Sequence, residues 1–133
     1  MKRLAAAVAT AVLVLSSAPS RAQEWRRSDS PYRMGEEYAE VPATCETIGR
    51  WIDHAPKTED RFSLTMVGRL VSVDWDGALA YLVACEEPGV QVMCVTYSAD
   101  GRNIGDTVTI AGGFVRIDER RIMLDPCLAS EDQ

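Results

Sequence analysis

The chain predicts an all-β domain (α+β at most in a small way), built as a closed five-stranded barrel behind one short helix. Three observations lead there. Beyond Arg61 the apolar residues recur at period two, as in Phe62, Leu64 and Met66, rather than at helical spacing. Turn-forming stretches, "DWDGA", "EEPG", "SADGRNIG" and "RIDERR", cut the remainder into five runs. So few strands leave unpaired edges unless the sheet closes on itself.

The N-terminus reads as a secretory signal over residues 1–22. Lys2 and Arg3 form a positive head, and Leu4 to Leu15 are apolar apart from Thr10. Ser20 and Ala22 stand before a cut ahead of Gln23. The apolar run is too short to span a bilayer. Removing it leaves 111 of the 133 residues and takes away Lys2, Arg3 and Arg21, so the formal charge falls from −6 to −9. A chain that acidic suits phosphate backbones poorly, because lysine and arginine supply most of that affinity. The expected setting is periplasmic or secreted, with no stable membrane span after cleavage.

Residues 23–42 are rich in charge, serine and proline around Trp25, Tyr32, Met34 and Tyr38. They have no sustained period and read as a flexible leader. The folded domain is expected over 43–130. In "ATCETIGRWIDHA", Thr44 is placed to cap a short helix, with Thr47 where a capping box has its glutamate. Cys45, Ile48 and Ile52 form its apolar side. Then "RFSLTMVGRLVSVDW" starts on even-numbered apolar residues and changes to Val71, Val73 and Trp75 after Gly68. A parity change at glycine predicts a bulged, coiled strand. "LAYLVAC" and "VQVMCVTY" follow as a hairpin around "EEPG". Thr107–Val115 carries Gly112 and Gly113 where a strand turns a corner, and Arg121–Leu124 is the last strand.

Cys45, Cys85, Cys94 and Cys127 all survive cleavage. An even count in a small exported chain reads as two disulfides. No CxxC is present and His54 is the sole histidine, so no metal ligand set is expected. With "EEPG" as the turn, Cys85 falls opposite Val90 and Cys94 opposite Tyr81. Four residues of strand, about 13 Å, then separate Cys85 from Cys94, too far to bridge.

Taken in order, "TMVGRLVSVDWDGALAYLVAC", "VQVMCVTY", "IGDTVTIAGGFV" and "IMLDPC" resemble the OB-fold, a five-stranded Greek-key barrel. They are most similar to the small exported bacterial proteins grouped as tRNA-anti-like, over residues 60–128. The chain departs from the usual pattern in having only Ser98–Gly105 where a helix joins the third and fourth strands. The resemblance implies a fold and not an activity. It also implies that the third and fifth strands are neighbours, so Cys94 meets Cys127 and Cys45 is left for Cys85. Cys45–Cys94 with Cys85–Cys127 stays open from sequence.

No G-x-S-x-G, HExxH, P-loop or G-x-G-x-x-G occurs, so the domain is expected to be non-catalytic and to need no cofactor. Ligands of OB-folds are received on the second and third strands, between the loops joining strands one–two and four–five. The candidate ligand-binding residues are therefore Trp75, Tyr81 and Tyr97 as stacking faces, with Arg116, Arg120 and Arg121 as the densest basic spot. Against this, Tyr81 facing Cys94 would be core, and Asp118 and Glu119 can neutralise the arginines. The expected partner is a small molecule, glycan or protein at the loop rim. The alternative is a structural or interaction component of the cell envelope. Single-stranded nucleic acid ranks third, because it needs a continuous basic groove lined with aromatics.

Overall fold

The computed structural model describes residues 5–16 and 27–131. The proposed signal cut and leader residues 23–26 lie outside the described residues. The elements are β1 (Tyr32–Met34), β2 (Ala43–Thr44), α1 (Ile48–Ile52), β3 (Phe62–Trp75), β4 (Ala80–Ala84), β5 (Gln91–Thr96), β6 (Thr107–Arg116) and β7 (Arg121–Glu131). Strands β3–β4–β5–β7–β6 pair in that order, and β6 returns to β3 to close the barrel. β5 and β7 run parallel, while the other four barrel pairs are antiparallel. That order, with the third and fifth strands side by side, is the all-β OB-fold topology.

Alternation fills the barrel. Leu64, Met66, Leu70, Leu82, Val92, Cys94, Ile110, Ile122 and Leu124 all point inward at 0 or 1 % exposure. The two disulfides are Cys45–Cys85 and Cys94–Cys127, with Cα separations of 5.5 and 5.3 Å. The second joins Cys94, the last residue of β5 paired with β7, to Cys127, three residues beyond its partner Leu124. A Cβ on Gly112 would strike the Pro126 carbonyl oxygen and lie 2.9 Å from the Cys127 Cα, so this glycine serves close strand crossing.

Four expectations are corrected. Residues 30–42 are not a flexible leader. Tyr32 is fully buried and β1 pairs with β3, Tyr32 opposite Leu64. Its ring meets Phe62 and Phe114 edge-on at 5.7 and 5.8 Å, and its hydroxyl donates to the Trp51 carbonyl at 2.7 Å. One aromatic plug thus outweighs a polar composition, because a buried tyrosine removes a large apolar area once its hydroxyl is paired.

The parity change lies at Val71 rather than Gly68. β3 pairs with β6 without a break from Ser63 to Arg69, and its ladder with β4 shifts between Leu70 and Ser72. Gly68 answers a different need: a Cβ there would lie 3.1 Å from both the Cys45 Sγ and the Ala84 Cβ. The glycine admits the first disulfide against β3.

The hairpin register is also shifted by one. Leu82 faces Cys94 and Tyr81 faces Val95. Cys85 leaves the ladder in a left-handed conformation (φ 76°) and reaches Cys45, so pairing resumes only at Ala84 opposite Val92.

The helix is shorter than the apolar pattern "ATCETIGRWIDHA" suggests. Thr44 and Thr47 do exchange hydrogen bonds, Thr44 N to Thr47 Oγ1 at 2.9 Å and Thr47 N to Thr44 Oγ1 at 3.3 Å, and α1 begins only after them. Ile48, Trp51 and Ile52 are buried, and with Tyr32 they close one end of the core. Between β5 and β6 the chain forms turns instead of a helix. Ala99 packs against the core there, and Arg102 donates to the Ala129 carbonyl at 2.8 Å.

Candidate functional site

The barrel has two outer walls, and they are finished differently. On the wall of β3 and β6 the outward residues include Ser63, Thr65 and Ala111, exposed by 2, 3 and 3 %, with Val67 half-buried next along β3. The segment between β1 and β2 covers them. Thr65 Oγ1 accepts from the Ala39 amide at 2.9 Å, and Ser63 Oγ donates to the Glu37 carbonyl. The hydroxyls are thereby paired, as burial requires.

On the wall of β4, β5 and β7 the outward residues are apolar. Val83 stands opposite Met93, Met93 opposite Met123, and Met123 opposite Val115 on β6. Their neighbours along each strand, Leu82, Val92, Cys94, Ile122 and Leu124, are in the core, so strand alternation points these four outward. Val83, Met93 and Met123 are half-buried and Val115 is 42 % exposed. Among the described residues no helix or further strand packs across them. The result is a thioether and aliphatic stripe running perpendicular to the strands.

Carboxylates border one side of the stripe. Tyr81, opposite Asp74, points outward beside it and donates to Asp76 Oδ2 at 2.6 Å. That bond holds the Asp76 carboxyl below its ordinary range and pushes the Tyr81 phenol up, with the nearby Asp125 adding to the latter. The Asp76 Oδ1 also accepts from the Ala78 and Leu79 amides at 2.8 and 2.7 Å, which shapes the β3–β4 turn. Tyr81 is therefore neither core nor a free stacking face.

The arginine loop lies at the other side. Gln91 pairs with Arg121 at the start of β5, and Tyr97 follows the end of the same strand. Six residues of strand, about 20 Å, separate the two. Trp75 and Tyr97 are 58 and 79 % exposed at the far end of the sheet, so the aromatics do not gather beside the arginines.

The basic spot itself is largely committed. Arg121 ion-pairs with Asp118 at 2.6 Å, an attraction that lowers the Asp118 carboxyl and raises the guanidinium. Arg116 reaches the Asp118 and Ile52 carbonyls at 3.4 and 3.5 Å and ties the loop to α1. Only the Arg120 guanidinium, among these three, has no partner within the described residues. It lines a cleft of about 580 Å³ together with Arg121, Glu87, Asp118 and Glu119, a surface of mixed charge. Among the described residues no three His, Cys, Asp or Glu converge as a metal site, and every cysteine there is bridged.

Val83, Met93 and Met123 were not among the sequence candidates. The signal was present in "LVA", "VMCV" and "IML", where apolar residues occupy both faces of a strand. A surface strand normally keeps one face polar.

No family model and no curated protein matches the chain. Among solved structures it is similar to a chain in the crystal structure of the S. pombe Stn1-ten1 complex, at 15 % identity and a TM-score of 0.36. The match covers 54 % of this chain and 60 % of that one. The strand order and closure of the barrel are those of an OB-fold.

Proposed function

We propose that this chain is an exported, non-catalytic binding module that receives its ligand on the wall of β4, β5 and β7. The observation that carries the reading is the contrast between the walls. A chain that spends residues 30–42 covering hydroxyls leaves uncovered a stripe of three half-buried apolar side chains and the 42 % exposed Val115, and an uncovered apolar stripe bordered by charge suits an interaction surface. The signal-like N-terminus and two disulfides support an oxidising compartment outside the cytoplasm. The described residues contain no helix long and apolar enough to cross a membrane. The likeness to tRNA-anti-like proteins rests on the strand motifs alone and adds no activity.

A second reading, docking within an envelope assembly, uses the same wall and differs only in how long the partner stays. Single-stranded nucleic acid is disfavoured: the stripe offers no stacking rings, and carboxylates border it. The test is a photo-crosslinking residue placed at Met93 and, as a control on the other side of the barrel, at Ser130, in the protein exported by living cells. The proposal predicts a discrete adduct from position 93 that disappears in Met123→Glu, and none from position 130. Adducts of equal yield from both positions would refute it.

A further inference from the structure

We infer that the occupant of this wall is a basic amphipathic helix from a partner protein, an inference that rests on the wall being the binding surface. The strand pairing decides first against an extended peptide. β5 is paired on both edges, by β4 and β7, and β4 by β3 and β5. A peptide strand laid here would find no backbone groups to pair with and would have to leave its own unsatisfied. A helix satisfies its backbone internally and offers side chains alone.

The dimensions agree. From Val83 to Val115 the stripe crosses three strand-to-strand steps, about 14 Å, the rise of roughly ten helical residues. Apolar residues at i, i+3 or i+4 and i+7 on such a helix match that length. Two adjacent methionines give the surface the pliancy that suits helix faces of varied sequence.

Charge completes the assignment. Asp74, Asp76 and Asp125 gather around Tyr81 on one margin, with Arg61 near Asp125 at its β6 end, while the opposite margin is mixed, with Arg120 and Arg121 among Glu87, Asp118 and Glu119. The mature chain as a whole is strongly acidic. A helix carrying Lys or Arg along one flank of its apolar stripe complements this wall, and one flanked by Glu does not.

The experiment uses the mature, disulfide-bonded protein with methionine methyl groups isotopically labelled. Of the five methionines, Met1 leaves with the signal; Met66 lies in the core and Met34 in β1, so both serve as internal references for Met93 and Met123. Three synthetic peptides of about 14 residues are titrated: a Leu-striped helix with Lys flanks, the same helix with Glu flanks, and the Lys peptide with two central prolines. The expected result is a saturable shift of Met93 and Met123 alone with the Lys helix. Binding should weaken at least about tenfold for the proline peptide and about threefold or more in Asp74→Asn/Asp125→Asn.

Equal shifts with the proline peptide would overturn the helix while leaving the wall as the binding surface. Equal binding of the Glu helix would overturn its basic character. Silence of both methyls with the Lys helix would overturn the inference itself. If in addition the position-93 crosslink is missing in cells, the reading beneath it falls too.

Discussion

The wall of β3 and β6 hides hydroxyls, and the wall of β4, β5 and β7 displays methionines. Folding alone would favour the reverse, because each apolar side chain withdrawn from water contributes and each hydroxyl withdrawn must first be paired. Thr65 and Ser63 are buried because they anchor the segment that also inserts Tyr32 into the core. Covering that wall is therefore part of building the barrel end. Leaving the other wall uncovered answers no such need of the barrel end, and the proposed binding role rests on that contrast.

Substitutions can break the comparison from either side. The largest effect is expected at Tyr32, which holds the covering segment in place. Tyr32→Ala removes a fully buried ring from a cluster with Phe62 and Phe114 and should cost about 3–5 kcal/mol in denaturant unfolding. Equally informative is where the loss appears. Amide exchange at Ala39 should rise with it, since its N–H bond to Thr65 depends on the same segment.

Next comes the staple of the bare wall. Replacing Cys94 and Cys127 together by alanine removes the bridge between β5 and β7, with about 2–4 kcal/mol lost. The Cys45–Cys85 bridge should remain intact by peptide mapping. Gly112→Ala should cost about 1–3 kcal/mol through collision with the Pro126–Cys127 backbone, measured by thermal unfolding.

The smallest effect concerns pH. Hydrogen bonding from Tyr81 holds the Asp76 carboxyl below its ordinary value of 3.8. A lowered folded-state value stabilises at pH above the unfolded value, and that contribution is lost as pH falls through the lowered one. Trp75 fluorescence should therefore change at the β3–β4 turn below about pH 4, and Tyr81→Phe should move the midpoint upward. An unchanged midpoint would show that the turn does not depend on this bond.

Much of the barrel was legible because period two, a glycine-rich fourth strand and four cysteines point the same way. The errors arose where one residue's tertiary partner overruled its neighbours. Nothing local to "SPYRM" announces that Tyr32 finds Phe62, Phe114 and the Trp51 carbonyl. From sequence Cys85 reads as the last residue of a hairpin strand, whereas its bond to Cys45 draws it out of the ladder and shifts the register by one. That single step moves Tyr81 off Cys94 and turns it outward. The sequence candidates differ from the proposed wall for a related reason. "RIDERR" reads as a basic spot, yet it contains its own counter-charge, and Asp118 takes Arg121. Aromatics and arginines drew notice as binding residues, whereas an outward methionine is recognisable only once its neighbours are known to be core.

The most direct measurement is a paired stability experiment on the two walls. Met93→Ser/Met123→Ser and Ser63→Val/Thr65→Val are unfolded in urea beside the parent chain. If the wall is kept for a partner, the methionine pair should lose no more than about 1–2 kcal/mol, the transfer of two half-buried side chains. The hydroxyl pair should lose about 1–3 kcal/mol, from two anchoring bonds. A costly methionine pair with a harmless hydroxyl pair would contradict it: the stripe would then belong to the fold, and no ligand would be needed to explain it.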